Sequence, residues 1–289
     1  MERAAVEVVD AGARTTFQDL GRAGYAALGV SPSGAADRPS FGLVNRLVGN
    51  DGDAVALEVV LGGLVLRALR SVRIALTGAP RPVLVDDHAV AMHTPIVVRR
   101  GEVLRVGHGQ RGVYTYVAVH GGFVAEQTLG SASTDVLGGI GPAPLAAGDR
   151  LMIGPRTDLA QPVDVAPVPA PLDPVELRVV PGPRREWFTE DAFDVLCAST
   201  YTVMSASNRI ALRLSGPPIA RRFERELASE GLIVGAVQIP PDGMPVVFGA
   251  DHPTTGGYPV LAVVIGRDVG FAAQARPGAA VRFRRARSR

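Results

Sequence analysis

Four stretches of the sequence gather hydroxyls, amides, charges and glycines more densely than turns alone require. The first runs Thr15-Thr16-Phe17-Gln18-Asp19-Leu20-Gly21-Arg22 and continues to Ser31-Pro32-Ser33-Gly34-Ala35-Ala36-Asp37. Read as a loop leading into a helix N-terminus, it offers backbone N–H groups and one guanidinium to an anion. Read structurally, it is a long turn with Asp19 and Asp37 as caps. The second passes from His120-Gly121-Gly122 through Leu129-Gly130-Ser131-Ala132-Ser133-Thr134-Asp135 to Gly138-Gly139-Ile140-Gly141. Glycines let backbone approach a ligand and successive hydroxyls donate to phosphate or carboxylate oxygens; a plain glycine loop is the alternative. The third is Ser205-Ala206-Ser207-Asn208-Arg209, between two expected strands. The fourth, Asp251-His252-Pro253-Thr254-Thr255-Gly256-Gly257-Tyr258-Pro259, suits a phosphate or an oxyanion, or equally a wide hairpin. Glu230 and Gln238 complete the polar residues that packing alone does not explain.

Several chemistries are excluded outright. All 30 basic residues of the 289 are arginine. Without lysine there is no P-loop, no Schiff base to pyridoxal phosphate, no biotin attachment on this chain and no Ser–Ser–Lys amidase relay. Anionic ligands would fall to arginine and backbone amides. The five histidines, His88, His93, His108, His120 and His252, lack zinc-helix spacing, and no CxxC occurs, so no protein-bound zinc site is expected. Cys197 is alone, which forbids an intrachain disulfide and fits a reducing compartment; beside Val195 and Leu196 it reads as a buried thiol. The net charge of +2 is weak support for nucleic acid. Five of the last eight residues are arginine, read as a strand end and a solvated tail. No apolar stretch reaches the ~18 residues of a spanning helix and no signal-type h-region opens the chain. The expectation is a soluble cytoplasmic protein with no nucleic-acid or membrane partner.

These stretches need elements to position them. With 34 Gly and 23 Pro among 47% apolar residues, the composition leans towards short strands joined by turns. Six prolines between 155 and 174 predict a linker, placed at 156–174, separating an N-terminal domain at 1–155 from a C-terminal domain at 175–289. The N-terminal part carries β-branched runs at Val6–Val9, Val55–Val60, Leu64–Leu69, Val72–Leu76, Val83–Val85, Ile96–Val98, Val103–Val106, Val113–Val119 and Leu151–Ile153, the signature of a barrel or sandwich. A helix is predicted after Asp37, with Pro39 in its first turn, Leu43, Val44, Leu47 and Val48 as its apolar stripe, and Gly49 or Asn50 at its end. The C-terminal part predicts strands near Leu177–Val180, Tyr201–Met204, Ile210–Leu214, Ile233–Ile239, Val246–Phe248, Val260–Ile265 and Val281–Phe283, and a helix around Glu186–Cys197. A glycine turn feeding an alternating strand recurs at Gly101, Gly148 and Gly278, with no chemistry attached to it.

The segments TTFQDLGRAGYAALGVSPSGAADR, NRLVGNDGDAVALEVVLGG, ALTGA, VAVHGG, LGSASTD, SNRIALRLSG, SEGLIVGAVQIPPDG and DHPTTGGYPVLAVVI together resemble the allophanate hydrolase subunit 2 family. That family takes in the C subunit of 5-oxoprolinase, an antagonist of a sporulation kinase inhibitor and the carboxyltransferase region of urea carboxylase. The resemblance runs from about Val8 to about Phe283. It implies a mainly β fold of two cyclophilin-like β-barrel domains with a few short helices. It implies a smaller partner subunit, either allophanate hydrolase subunit 1 or the B subunit of 5-oxoprolinase, in a complex with two of each.

Three activities follow from the resemblance. The first is an ATP-dependent 5-oxoprolinase, in which the two small subunits activate the lactam and a lactam-utilisation subunit completes its hydrolysis to glutamate. The second is carboxyl transfer from carboxybiotin to urea. The third is non-enzymatic regulation by binding a kinase inhibitor. We place the oxoprolinase first, with ATP and Mg²⁺ as cofactors and a small-molecule substrate. The matching positions are Gln18, Asp19, Gly21, Arg22, Ser33, Gly34, Asp37, Glu58, Gly130, Ser131, Ser133, Thr134, Asp135, Ser207, Asn208, Arg209, Glu230, Gln238, Thr254, Thr255, Gly256 and Gly257. Of these, Gln18, Arg22, Asp37, Asn208, Arg209 and Gln238 are expected to be catalytic. Ser33, Gly34, Ser131, Ser133, Thr134, Asp135 and the turn Thr254, Thr255, Gly256, Gly257 are expected to bind substrate or phosphate. Within this assignment Arg22 and Arg209 neutralise phosphate, Asp37 or Asp135 holds Mg²⁺ with ATP, and Asn208 and Gln238 bond an amide edge.

The sequence departs from the family pattern at three places. Ala132 stands where arginine is common, His120 where a small residue is usual, and SNRIALRL lacks the Met-Gly that follows the arginine. The missing guanidinium bears on phosphate binding by the Ser131–Ser133 loop.

Overall fold

The computed structural model describes residues 4–155, 166 and 173–286; the linker expected at 156–174 lies, but for 166, 173 and 174, outside the described residues. The chain forms two compact units, each assembled from separated pieces. The first takes residues 1–22, 37–135 and 139–170, the second 23–36, 136–138 and 171–289.

The first unit carries β1 (Val6–Ala11), β2 (Thr15–Gln18), α1 (Arg38–Val48), β3 (Ala56–Val60), β4 (Leu64–Ala68), β5 (Val72–Gly78), β6 (Val83–Val85), β7 (His88–Val90), β8 (Ile96–Val98), β9 (Val103–Val106), β10 (Tyr114–Val119), β11 (Phe123–Val124) and β12 (Arg150–Ile153). They form a seven-stranded sheet, β11-β12-β1-β4-β9-β6-β7, and a five-stranded sheet, β2-β3-β10-β5-β8. Val6, Val8, Leu64 and Leu66 of the larger sheet share one buried cluster with Phe17, Leu57, Ile74, Leu76 and Val117 of the smaller. Helix α1 starts as its sequence predicts: Asp37 caps it, Pro39 lies in the first turn and Gly49 ends it at φ 79°.

The second unit carries β13 (Val175–Pro181), α2 (Ala192–Ala198), β14 (Thr200–Val203), β15 (Ala211–Ser215), β16 (Glu230–Gly231), β17 (Ala236–Gln238), β18 (Val246–Phe248), β19 (Thr255–Gly256), β20 (Val260–Val264), α3 (Gly266–Ala273) and β21 (Ala280–Arg285). Seven of these strands close a barrel in the order β13-β20-β17-β18-β15-β14-β21, sealed by the parallel pair β13–β21. Leu177, Val179, Leu214, Val237 and Leu261 fill its interior, where the Tyr201 and Phe283 rings meet edge to face with centroids 5.8 Å apart. The fold is mainly β, as the strand runs predict.

Three local readings change. The segment from Thr15 is not all loop: Thr15–Gln18 is a fully buried strand, too short for its alternation to stand out beside the polar residues that follow. The helix expected over Glu186–Cys197 breaks into one 3₁₀ turn at Arg185–Trp187 and α2. Phe188 is extended between them, bridging Arg221 and burying its ring. Helix α3 was not anticipated; Arg178 fixes its first turn by donating three hydrogen bonds to Asp268.

Candidate functional site

In the first unit, strand alternation builds a buried polar row. Phe17 points into the core and stacks edge-on with Phe123, so Thr16 and Gln18 take the opposite face of β2. Register then sets Thr16 beside Glu58, Glu58 beside Tyr116 and Tyr116 beside Thr77 across four strands. All four side chains are buried. Helix α1 covers the row, with Thr77 donating to Ser40 O at 2.7 Å and Phe41 packing edge-on against Tyr116. The Tyr116 hydroxyl donates to Glu58 at 2.8 Å and accepts from the Asp37 N–H at 2.8 Å. Burial first, then the Glu58 and Asp37 carboxylates, push the Tyr116 phenol well above its ordinary range.

Beside this row the expected anion-binding loop is present, but its anion is the chain's own. The Ser131 and Ser133 hydroxyls donate to Asp19 at 2.6 and 2.5 Å, and the Ala132 and Gly21 N–H groups each donate at 2.7 Å. Asp19 thus takes the donors that the sequence offered to phosphate. Ala132 contributes only its backbone and is fully buried. Arg22, also buried, donates from Nη2 to Ser133 O and from Nε to Thr128 O at 3.3 Å. Its Nη1 has no partner. Gln18 Nε2 donates to Thr16 Oγ1 at 3.1 Å and Thr134 O at 3.0 Å, while its Oε1 is buried and unpartnered.

Other expected residues of this unit make bonds within the chain. Asp37 Oδ1 accepts from Ser40 N and Oδ2 from Ser40 Oγ, a helix cap. Thr134 donates to Pro142 O, and the Asp135 N–H bonds to Ile140 O. Among the described residues no three His, Cys, Asp or Glu side chains gather to hold a metal ion. The departure at His120 has a local account: its Nδ1 lies 2.7 Å from Val48 O, in the last turn of α1.

In the second unit Arg209, Asp251, Ser33 and Gly34 converge. Arg209 Nε donates to Asp251 Oδ2 at 2.8 Å and Nη2 to Oδ1 at 2.9 Å; Nη2 also reaches Gly34 O at 2.6 Å. Ser33 Oγ and the Val136 N–H donate to the same carboxylate at 2.6 and 3.1 Å. Ser33 sits at φ 52°, a left-handed backbone held in place by this bond. The guanidinium expected to meet phosphate is therefore turned on an internal carboxylate.

The fourth stretch is divided between a short strand pairing and loop contacts. Thr255 and Gly256 form β19 and pair with Glu230 and Gly231. Gln238 Nε2 donates to Tyr258 O at 2.8 Å, and a Cβ on Gly256 would lie 2.6 Å from that nitrogen, so any side chain there would have to displace the Gln238 amide. The Leu232 N–H donates to Thr254 O. Glu230 is paired with Arg184, which holds its carboxyl below the usual range. Asn208 is exposed and accepts from the Ile210 N–H at 2.8 Å, a turn-forming role. Burial pushes the half-buried Cys197 thiol up, as befits a packed thiol. Sequence reasoning had Glu58 only among the matching positions and missed Tyr116 and Asp251 as site residues.

A mainly β chain of two units, each with its own buried polar cluster, is the class that fold and geometry define. The chain belongs to the family described as carboxyltransferase domain, subdomain A and B, whose family model matches residues 28–285. It is 37% identical over 281 residues to the C subunit of Escherichia coli 5-oxoprolinase, covering 96% of this chain and 90% of that protein. It is 32% identical over 308 residues to urea amidolyase of Saccharomyces cerevisiae, covering 98% of this chain but 17% of that protein. The crystal structure of Kluyveromyces lactis urea carboxylase superposes with a TM-score of 0.92 at 30% identity, covering 98% of this chain and 27% of that one. No helix among the described residues is long and apolar enough to cross a membrane.

Proposed function

We propose that this chain is the C subunit of an ATP-dependent 5-oxoprolinase, a cytoplasmic lactam hydrolase assembled with a smaller subunit, two of each, and a lactam-utilisation subunit. One observation carries the reading: the match to the Escherichia coli 5-oxoprolinase chain spans nearly the whole of both proteins, whereas the urea amidolyase match is a segment of a far longer one. The chemistry agrees. Opening a lactam is uphill near neutral pH, so activation of its carbonyl oxygen by ATP supplies the driving force.

Several of the residues expected to hold ATP and Mg²⁺ on this chain are engaged within it. Both Asp37 oxygens are taken by Ser40, the Ser131 and Ser133 hydroxyls by Asp19, and Arg209 grips Asp251. We therefore derive no step through the nucleotide here and place its binding on a partner subunit. This chain's part is to hold the lactam, for which its buried amide and guanidinium are chemically suited.

The test is reconstitution. The chain is co-purified with the small subunit, the lactam-utilisation subunit is added, and ADP and glutamate release from 5-oxoproline is measured, with the lone chain in parallel. Both products only in the complete mixture establish the reading. A stable complex that forms neither product overturns it in favour of carboxyl transfer or a regulatory role.

A further inference from the structure

Among the buried polar atoms of the first unit that lack a partner, two are of opposite kind and lie four residues apart in the chain. Gln18 Oε1 is an acceptor and Arg22 Nη1 a charged donor. The Gln18 amide cannot be turned to exchange them, because Thr134 O only accepts and so fixes Nε2 on that side. Arg22 spends its other bonds on neutral carbonyls, Thr128 O and Ser133 O, while the Asp19 carboxylate is satisfied by hydroxyls and backbone. No carboxylate among the described residues bonds the Arg22 guanidinium. The two side chains are tied to consecutive residues, Ser133 and Thr134, whose Cα atoms stand about 3.8 Å apart. A buried acceptor and a buried cation left open on one stretch of backbone each forgo a hydrogen bond that water would have given them, until a ligand supplies it.

Resting on the lactam reading above, we propose that Gln18 Oε1 and Arg22 Nη1 read the edge of a cis amide, with Gln18 accepting its N–H and Arg22 donating to its carbonyl oxygen. A lactam ring holds N–H and C=O on the same side, as does urea. An open-chain secondary amide is trans and sends the two groups to opposite sides. An ester has no N–H at all. The pair therefore selects lactams and ureas over both peptides and lactones, and Arg22 gains most as negative charge grows on the carbonyl oxygen. Entry requires the Thr128–Ser131 turn to lift from Arg22, where the Nε bond to Thr128 O is 3.3 Å long. The turn passes through Leu129 at φ 54°.

The test compares ligands on the full chain in complex with its small subunit, by isothermal titration. The probes are 5-oxoproline, the γ-lactone with the same ring and carboxylate, and open-chain N-acetylglycine. We expect the lactam to bind at least about tenfold tighter than either, and Gln18→Met to bring lactam and lactone within about twofold. Equal binding by the unaltered protein overturns the proposal, and so does a lactam preference that survives Gln18→Met. If Gln18→Met does not fold, the ligand series on the unaltered protein decides alone. The two readings separate cleanly. A complex that releases ADP and glutamate without preferring lactam to lactone overturns the edge-reading only; a lactam preference without glutamate formation overturns the oxoprolinase reading only.

Discussion

Arg209 and Asp251 meet in a two-point grip inside the second unit, with side chains 2% and 0% exposed. Removing either partner strands a buried charge. Arg209→Ala is expected to cost about 3–5 kcal/mol of stability, seen as a lower urea midpoint at an unchanged slope. Arg209→Lys should not restore it, since an ammonium cannot span both oxygens and Gly34 O. A fully stable Arg209→Ala protein would return this residue to ligand binding.

Asp37 is a cap, and a cap can be exchanged. Asp37→Ala should lose about 1 kcal/mol of stability, while Asp37→Ser should retain most of it, as measured by thermal unfolding. An Asp37→Ser complex with full stability but no turnover would show a chemical role for the carboxylate.

Restoring arginine at position 132 should harm this protein. Ala132 is fully buried and donates its N–H to Asp19, so Ala132→Arg must either displace packed neighbours or open the loop. We expect a loss of at least about 1–3 kcal/mol by denaturant unfolding. An equally stable variant would mean that the site accepts a guanidinium in place.

Tyr116 makes stability fall at high pH. Its folded pKa is raised, so its contribution is complete below the unfolded phenol's value of about 10 and is lost as pH rises through the folded value. Unfolding free energy followed from pH 8 upward should decline above about 10, and more steeply than in Tyr116→Phe. Parallel curves for the two proteins would refute this.

Much of the scaffold was legible because it is local. The cap at Asp37, the stripe of α1 and the left-handed glycines at 101, 148 and 278, with φ of 93°, 94° and 85°, are dictated by nearby residues. The site was less legible because it is not local. Ser131 and Ser133 are apt for an anion in any context, and only the fold reveals that Asp19, 112 and 114 residues away, supplies it. Likewise Arg209 looks available until Asp251, 42 residues on, is brought against it. The short strand Thr15–Gln18 hid for a different reason: both its faces are buried, so polar Thr16 and Gln18 gave it the look of a loop.

The second unit draws residues 23–36 from early in the chain and most of its strands from beyond 171, which sets an order on biosynthesis. At about 5–20 residues per second, Ser33 leaves the ribosome roughly ten to forty seconds before Asp251 exists to receive its hydroxyl. The early segment must wait, hydrogen-bonded to water, through translation of the whole intervening unit, and the barrel closes only when β21 arrives to pair with β13. A gene fragment starting at 171 would encode every barrel strand yet omit Ser33, Gly34 and Val136, so the Asp251 carboxylate would be translated without three of the groups that surround its ion pair.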